Sequence, residues 1–259
     1  MDVNETIIYE QPLSEPTRIC LRLEHLYIQA RANLTGLSVW HHRLVMSALI
    51  EIMRVVDRPD LRTKLTTALT QQSTRLSILE SNPQVDNTKL RQVLDKLDTL
   101  IDSLYMNRAK MGQELKNNVF LDNIRQHLNS PGGACGFNTP AFHLWIQQPA
   151  NERTETLKLW FSEFEQLEQI INLLLSLIRQ NGQLETNTAL EGFYHQNLDS
   201  NVQYEMIRVL LPKAHLVYPE ISVGRHRLSV RFLELGLMSR ERDQQTKQNV
   251  IFKLASCRQ

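Results

Sequence analysis

Arg225, Arg227, Ser229 and Arg231 stand at every second position of the segment VGRHRLSVRF (Val223–Phe232), and Leu228, Val230 and Phe232 occupy positions between them. Alternation with a period of two marks a strand with one buried and one open face. The spacing therefore predicts an apolar side and an arginine strip, with no aromatic residue on the strip. Guanidinium groups are planar forks that hold carboxylates or phosphates through paired hydrogen bonds. Between Met206 and Leu233, Arg208, Lys213, Arg225, Arg227 and Arg231 face a single carboxylate, Glu220, although the 259-residue chain has a net charge of only +1. Positive charge is thus concentrated in this region. The chemistry it suits is recognition of an anion; the alternative is a solvated strand face paired with acidic neighbours.

A second basic set begins at Arg18. Arg22 lies one helical turn on and His25 lies seven residues on, so all three share a face, with Glu15 and Glu24 near enough in sequence to neutralise them. Lys110 and Lys116 flank MGQEL, Arg125 follows, and His143 sits two residues before Trp145.

Other combinations would imply catalysis. Cys135 with His143 has the residue types of a thiol nucleophile and its base, and the surrounding glycines could supply oxyanion-binding amides. No local signature of a cysteine hydrolase surrounds the pair. SPGGACG also lacks the Gly-Lys-Ser/Thr ending of a phosphate loop. The eight histidines show no HxH or HxxxH spacing, and the three cysteines, Cys20, Cys135 and Cys257, show no CxxC, so all three are read as free thiols. The chain is expected to be no enzyme, with no catalytic residue, metal or cofactor.

The elements that must position these groups follow from periodicity. Apolar residues recur at three and four through Ile19–Leu34, Leu44–Val56 and Leu61–Leu79, which predicts amphipathic helices. SNPQVDN (Ser81–Asn87) breaks the pattern, and Leu90–Leu104 carries a near-heptad seam, so the two arms should form an antiparallel hairpin. A helix is expected over Gly112–Leu128, a non-helical loop over Ser130–Pro140, a short helix at AFHLWI, and one long helix from Trp160 to Ile178, ended by Asn181 and Gly182. Beyond Gly182 the period falls towards two. VQYEMIRVLL, RHRLSVRFL and NVIFKLASC read as strands, SRERDQQ as a loop, and TIIYE near the start as a further strand that joins the same sheet. The expected fold is α+β: residues 1–12 an N-terminal strand, 13–182 a helical bundle domain, and 183–259 a smaller antiparallel β domain.

A composition of 42% hydrophobic and 22% charged residues, with basic and acidic groups nearly balanced, argues against a nucleic-acid coat. The longest apolar run, IINLLLSLI, is about half a membrane span. Met1 leads into acidic and polar residues, unlike a signal peptide, so a cytoplasmic location is expected.

In order along the chain, EQPLSEPTRICLRLEHL, RPDLRTKL, GQELKNNVFLDNIRQHLNSPGGACGFNTPAFHLWI, ALEGFYHQN and YPEISVGRHRLSVRF resemble the motifs of the ZapD family of bacterial cell-division proteins. The resemblance spans nearly the whole chain. It implies a helical domain joined to a β domain, a homodimer, recruitment to the division site at midcell, and binding of the acidic and apolar C-terminal tail of the tubulin-like protein FtsZ in a basic pocket. A two-site dimer would then crosslink filaments. The matching cations are Arg18, Arg22, Arg58, Lys116, His143, Arg227 and Arg231, to which the strip adds Arg225. The sequence departs from the family pattern at Lys116, where arginine is favoured, at FNTP (Phe137–Pro140), and at His195. Neither membrane nor nucleic acid nor a small-molecule substrate is an expected partner. The rival readings are a nucleic-acid binder using the arginine strip and a cysteine-dependent enzyme.

Overall fold

The computed structural model describes residues 6–106, 111–128, 130, 133, 135–236 and 243–258. The chain divides into two compact units, one of Met1–Arg18 with Leu175–Gln259 and the other of Ile19–Leu174. The fold is α+β, with the helices preceding all strands but the first.

The helical unit is built around α2 (Val39–Val56), whose N-cap Ser38 accepts the Trp40 amide at 3.2 Å. Val45, Leu49 and Ile52 lie one helical turn apart in succession and are fully buried. They make α2 the central element, in contact with α6 (Val119–His127), α7 (Pro140–Ile146) and α8 (Ala150–Ser162). Helices α3 (Leu61–Ser77) and α4 (Asn87–Met106) pair as the expected hairpin, with Leu65, Leu69, Leu90, Leu94 and Leu97 buried.

Two expected helices are divided. The first becomes α5 (Gln113–Lys116) and α6, because the Asn118 side chain accepts the Phe120 and Leu121 amides at 3.0 and 3.2 Å and starts a new helix. The second becomes α8 and α9 (Glu165–Gln180), separated at Glu163–Phe164. There the Ser162 hydroxyl donates to the Leu159 carbonyl and the Tyr27 hydroxyl to the Phe164 carbonyl. Side-chain competitors for backbone groups are what a plain count of apolar spacing misses.

The other unit holds two antiparallel sheets. β1 (Thr6–Pro12), β4 (Tyr204–Pro212), β7 (Val250–Arg258) and β2 (Glu185–Ala189) form one in that order; β3 (Phe193–Asn197), β6 (Arg227–Glu234) and β5 (Val217–Val223) form the other. The N-terminal strand joins the sheet as expected, with Ile8 opposite Leu210. Leu228, Val230 and Phe232 of β6 meet Ile207, Val209, Val250 and Phe252 in one core. The Phe232 and Phe252 ring centroids are 4.9 Å apart. Truncating either ring to alanine would cost about 3–5 kcal/mol. Of the SRERDQQ loop, residues up to 242, and with them Arg240 and Arg242, lie outside the described residues.

Candidate functional site

The open face of β6 follows from the burial of its alternate residues. With Leu228, Val230 and Phe232 inside, Arg227 and Arg231 must point out, and both are exposed. Arg225 does not belong to this face. It lies in the turn Gly224–His226, closed by the Gly224 amide donating to the Arg227 carbonyl at 2.8 Å, so the alternation ends before it is reached. Residues opposite each other in an antiparallel sheet share a side, and the register sets Phe193 and Glu220 on either flank of Arg231, His195 and Ser222 beside Ser229, and Asn197 beside Arg227. The expectation that the strip lacks aromatics is therefore corrected: Phe193 and His195 stack there with centroids 5.8 Å apart. The strand that carries them was not foreseen. Arg231 is ion-paired with Glu220, both half exposed, so this contact adds little stability and can exchange.

Arg18 pairs with Glu15 at 3.5 Å on α1 (Glu15–Leu34) and is 62% exposed. The start of that helix is fastened by Glu205, a buried carboxylate that accepts the Ser14 hydroxyl and, at 2.7 Å, the Thr17 hydroxyl.

In the helical unit the structure gathers three of the four candidate cations at the C-terminal end of α2. Arg22 and Arg54 share the Glu51 carboxylate, Arg22 at 2.8 Å. Arg54 also donates to the Arg125 carbonyl at 2.9 Å, and Arg125 holds Asp57 at 2.8 Å and Asp122 at 2.7 Å. Lys116 takes the second oxygen of Asp57 at 2.9 Å. Arg58 follows directly, 3.6 Å from Asp60, and lines a cavity of about 280 Å³ with Asp57, Pro59, Leu61 and Arg62. Hydrogen bonding from Lys64 holds the Asp60 carboxyl below its ordinary range, and Arg125 does the same for Asp122. Cations outnumber carboxylates in this chain of pairs. Sequence reading assigned no role to Arg54 or Arg125; the i to i+3 spacings Glu51–Arg54 and Asp122–Arg125 were the available signal.

His143, the fourth, stands exposed on α7 outside this network of pairs. Its ring lies so near Gly136 that a Cβ there would come within 2.9 Å of it. The Cys135 carbonyl accepts the Asn138 and Thr139 amides, which makes this loop the lead-in to α7, and the Cys135 thiol is exposed. Among the described residues no cluster of three or more His, Cys, Asp or Glu side chains could hold a metal ion, and no helix is long and apolar enough to cross a membrane.

Comparison with known proteins finds relatives along nearly the whole chain. The family model ZapD, described as a cell division protein, matches residues 21–231. A protein named cell division protein ZapD from Coxiella burnetii is 44% identical over 256 residues, 99% of each chain. One of the same name from Methylococcus capsulatus is 33% identical over 97% of this chain and 98% of its own. Another, from Vibrio vulnificus, is 31% identical over 96% and 98%.

Proposed function

The chain belongs to the ZapD family of cell division proteins, and from that membership we propose that it binds the C-terminal tail of FtsZ and, as a homodimer with two such sites, crosslinks FtsZ filaments into bundles. On this reading it is a non-catalytic cytoplasmic protein recruited to midcell. Arg18, Arg22, Arg58, Lys116, His143, Arg225, Arg227 and Arg231 supply the cations that meet the tail's carboxylates.

The observation that carries the reading is the outer face of β6. A half-buried phenylalanine, Phe193, stands directly opposite an exposed arginine, Arg231. Such a surface suits a segment that mixes acidic and apolar side chains better than a purely ionic one, because each partner group finds its complement at strand spacing. Exposed ion pairs contribute about 0–1 kcal/mol each, so an incoming carboxylate can displace Glu220 from Arg231.

The aromatic pair Phe193 and His195 beside arginines also favours a second reading, stacking of single-stranded nucleic acid. Glu220, opposite Arg231 on the same face, opposes it. Sedimentation should give a dimer, and light scattering of FtsZ polymers should rise with this protein and fail to rise when FtsZ lacks its tail. Bundling that survives tail removal, or tighter binding to an oligonucleotide of equal charge than to the tail peptide, would overturn the proposal.

A further inference from the structure

We propose that the half of the β1-β4-β7-β2 sheet left open beside the end of α9 is a binding site for a small amphipathic anion, an acyl chain that ends in a carboxylate. Lys253 receives the carboxylate, and Leu210, Ile8 and Ile251 receive the chain.

One face of this sheet packs on the core that contains Val209, Leu211, Phe252 and Leu254. On the other face the strand registers align Ile8 of β1, Leu210 of β4, Lys253 of β7 and Thr186 of β2 in one row across all four strands. Alternation puts Ile251 on the same face, beside Lys253. Towards its other end this face is occupied. Arg179 of α9 holds Glu10, and a Cβ on Gly182 would come within 3.1 Å of the Ala255 side chain and 2.6 Å of the Cys257 sulfur. Beyond Ala255 the apolar residues emerge: Ile8 is 44% exposed and Ile251 53%, and with Leu184 and the row itself they line a cavity of about 240 Å³. An apolar cavity of about 150 Å³ takes up benzene, so this one has room for a longer chain.

Charge selects the head group. Lys253 is half-buried in these apolar surroundings, and among the described residues no ion pair or hydrogen bond engages its ammonium. The carboxylates of the four strands are committed elsewhere. Glu10 is held by Arg179 and Arg208, Glu185 stands opposite the buried Leu254 on the other side of the sheet, and Glu205 accepts the Ser14 and Thr17 hydroxyls. The end of α9 and the link to β2, residues 175–184, contain no acidic residue. From Lys253 across β4 to Ile8 is two interstrand spacings, about 10 Å, the length of an extended chain of about eight carbons with bonds of about 1.5 Å. A second copy of the chain is the wrong size for this surface: its open rows measure about 14 Å by about 7 Å, against roughly 800 Å² a side for a stable interface. One cation beside one apolar hollow matches one head and one tail.

The test is isothermal titration calorimetry of the full chain with octanoate, hexanoate and 1-octanol, with isoleucine-methyl NMR to locate the ligand. Octanoate should bind once per chain and shift the Ile8 and Ile251 methyl signals, leaving that of Ile28, exposed on α1, in place. Hexanoate should bind about tenfold more weakly, the effect of withdrawing two methylenes from an apolar cavity. Lys253→Gln should weaken octanoate about fivefold, as loss of a half-exposed ion pair does, and leave octanol binding unchanged. Circular dichroism checks the fold of the variant. Octanoate affinity that is intact in Lys253→Gln, or a loss equal for octanoate and octanol, would overturn the inference. Equal affinities of octanoate and hexanoate for wild type, a comparison that needs no variant, would overturn it too. So would absent binding, shifts at Ile28 in place of Ile8 and Ile251, or displacement of octanoate by the FtsZ tail peptide, which would give the cavity to the tail.

Discussion

The Glu10 carboxylate receives both arms of the Arg179 guanidinium, Nε at 2.9 Å and Nη2 at 2.7 Å, while Arg208 Nε reaches the same carboxylate at 2.9 Å. One side chain of β1 is thereby bound to the end of α9 and to the neighbouring strand β4. Burial alone would raise the Glu10 carboxyl, but the two arginines outweigh it and hold the group below its ordinary value. Glu10→Gln should destabilise the protein by about 1.5–3 kcal/mol, the usual contribution of hydrogen bonds to a charged group. A carboxyl depressed in the folded state stabilises above its unfolded pKa and loses that contribution as pH falls through the folded value. Urea unfolding should show the full difference between wild type and Glu10→Gln at neutral pH and a shrinking one on acidification below the usual carboxylate range. A difference independent of pH would contradict the assignment.

Arg231 is occupied by Glu220 across the strand pair. Removing that carboxylate with Glu220→Gln should tighten binding of the tail peptide, by up to about fivefold, since an exposed pair contributes about 0–1 kcal/mol. A decrease in affinity would mean that Glu220 itself touches the tail.

Reversal of an outward arginine tests the same face from the other side. Arg227→Glu or Arg231→Glu should weaken the tail complex about tenfold or more, as loss of a charge-assisted contact does. Lys158→Glu on α8 makes the same change in net charge at an exposed lysine already paired with Glu155, and it should have little effect. Equal losses at all three positions in anisotropy titrations would show that only overall charge attracts the tail.

The division of labour between legible and hidden features is physical. Apolar period reports burial, so the stripes of α2, α4 and β6 could be read directly, as could the sides to which Arg227 and Arg231 point. Strands β2, β3 and β5 escaped because their apolar residues are sparse or one-sided: ETNTA holds one buried residue, Ala189, and β5 none. With β3 went Phe193 and His195, and with them half the character of the arginine strip. Arg225 was misplaced because alternation in the sequence runs on past the strand's first hydrogen bond. The ion-pair chain from Arg22 to Lys116 joins α1, α2, α5 and α6, and only tertiary structure brings such distant charges together. Periodicity names no partner; the one proposed here rests on membership of the family.

Cys135 is exposed in the loop before α7, where its backbone carbonyl accepts the Asn138 and Thr139 amides and the Thr139 hydroxyl. Cys135→Ser should leave tail binding and filament bundling unchanged within experimental error. Loss of bundling with the dimer and circular dichroism intact would reopen the reading of Cys135 as a reactive thiol.

The turn that passes the chain from one sheet to the other gives the most demanding test of the β unit. Leu190 and Phe193 close it, the Phe193 amide donating to the Leu190 carbonyl at 2.9 Å, and both central residues have positive φ, 49° at Glu191 and 73° at Gly192. Only a mirror-image turn connects twisted strands this tightly, and it demands that conformation at both positions. Gly192 is also pressed against the chain that follows β6: a Cβ there would lie 2.6 Å from the Thr246 carbonyl oxygen, while the Gly192 carbonyl accepts the Phe232 amide at 2.8 Å. Gly192→Ala therefore combines left-handed strain of about 1–2 kcal/mol with a clash that must displace backbone, and it should destabilise by at least that amount. Glu191 pays the strain already. Glu191→Asn makes Asn-Gly, the preferred pair for this turn, and should stabilise by about 0.5–1 kcal/mol. Thermal and urea unfolding of the two variants should move in opposite directions from wild type. A Gly192→Ala protein as stable as wild type, or a destabilised Glu191→Asn, would show that the turn does not hold this geometry.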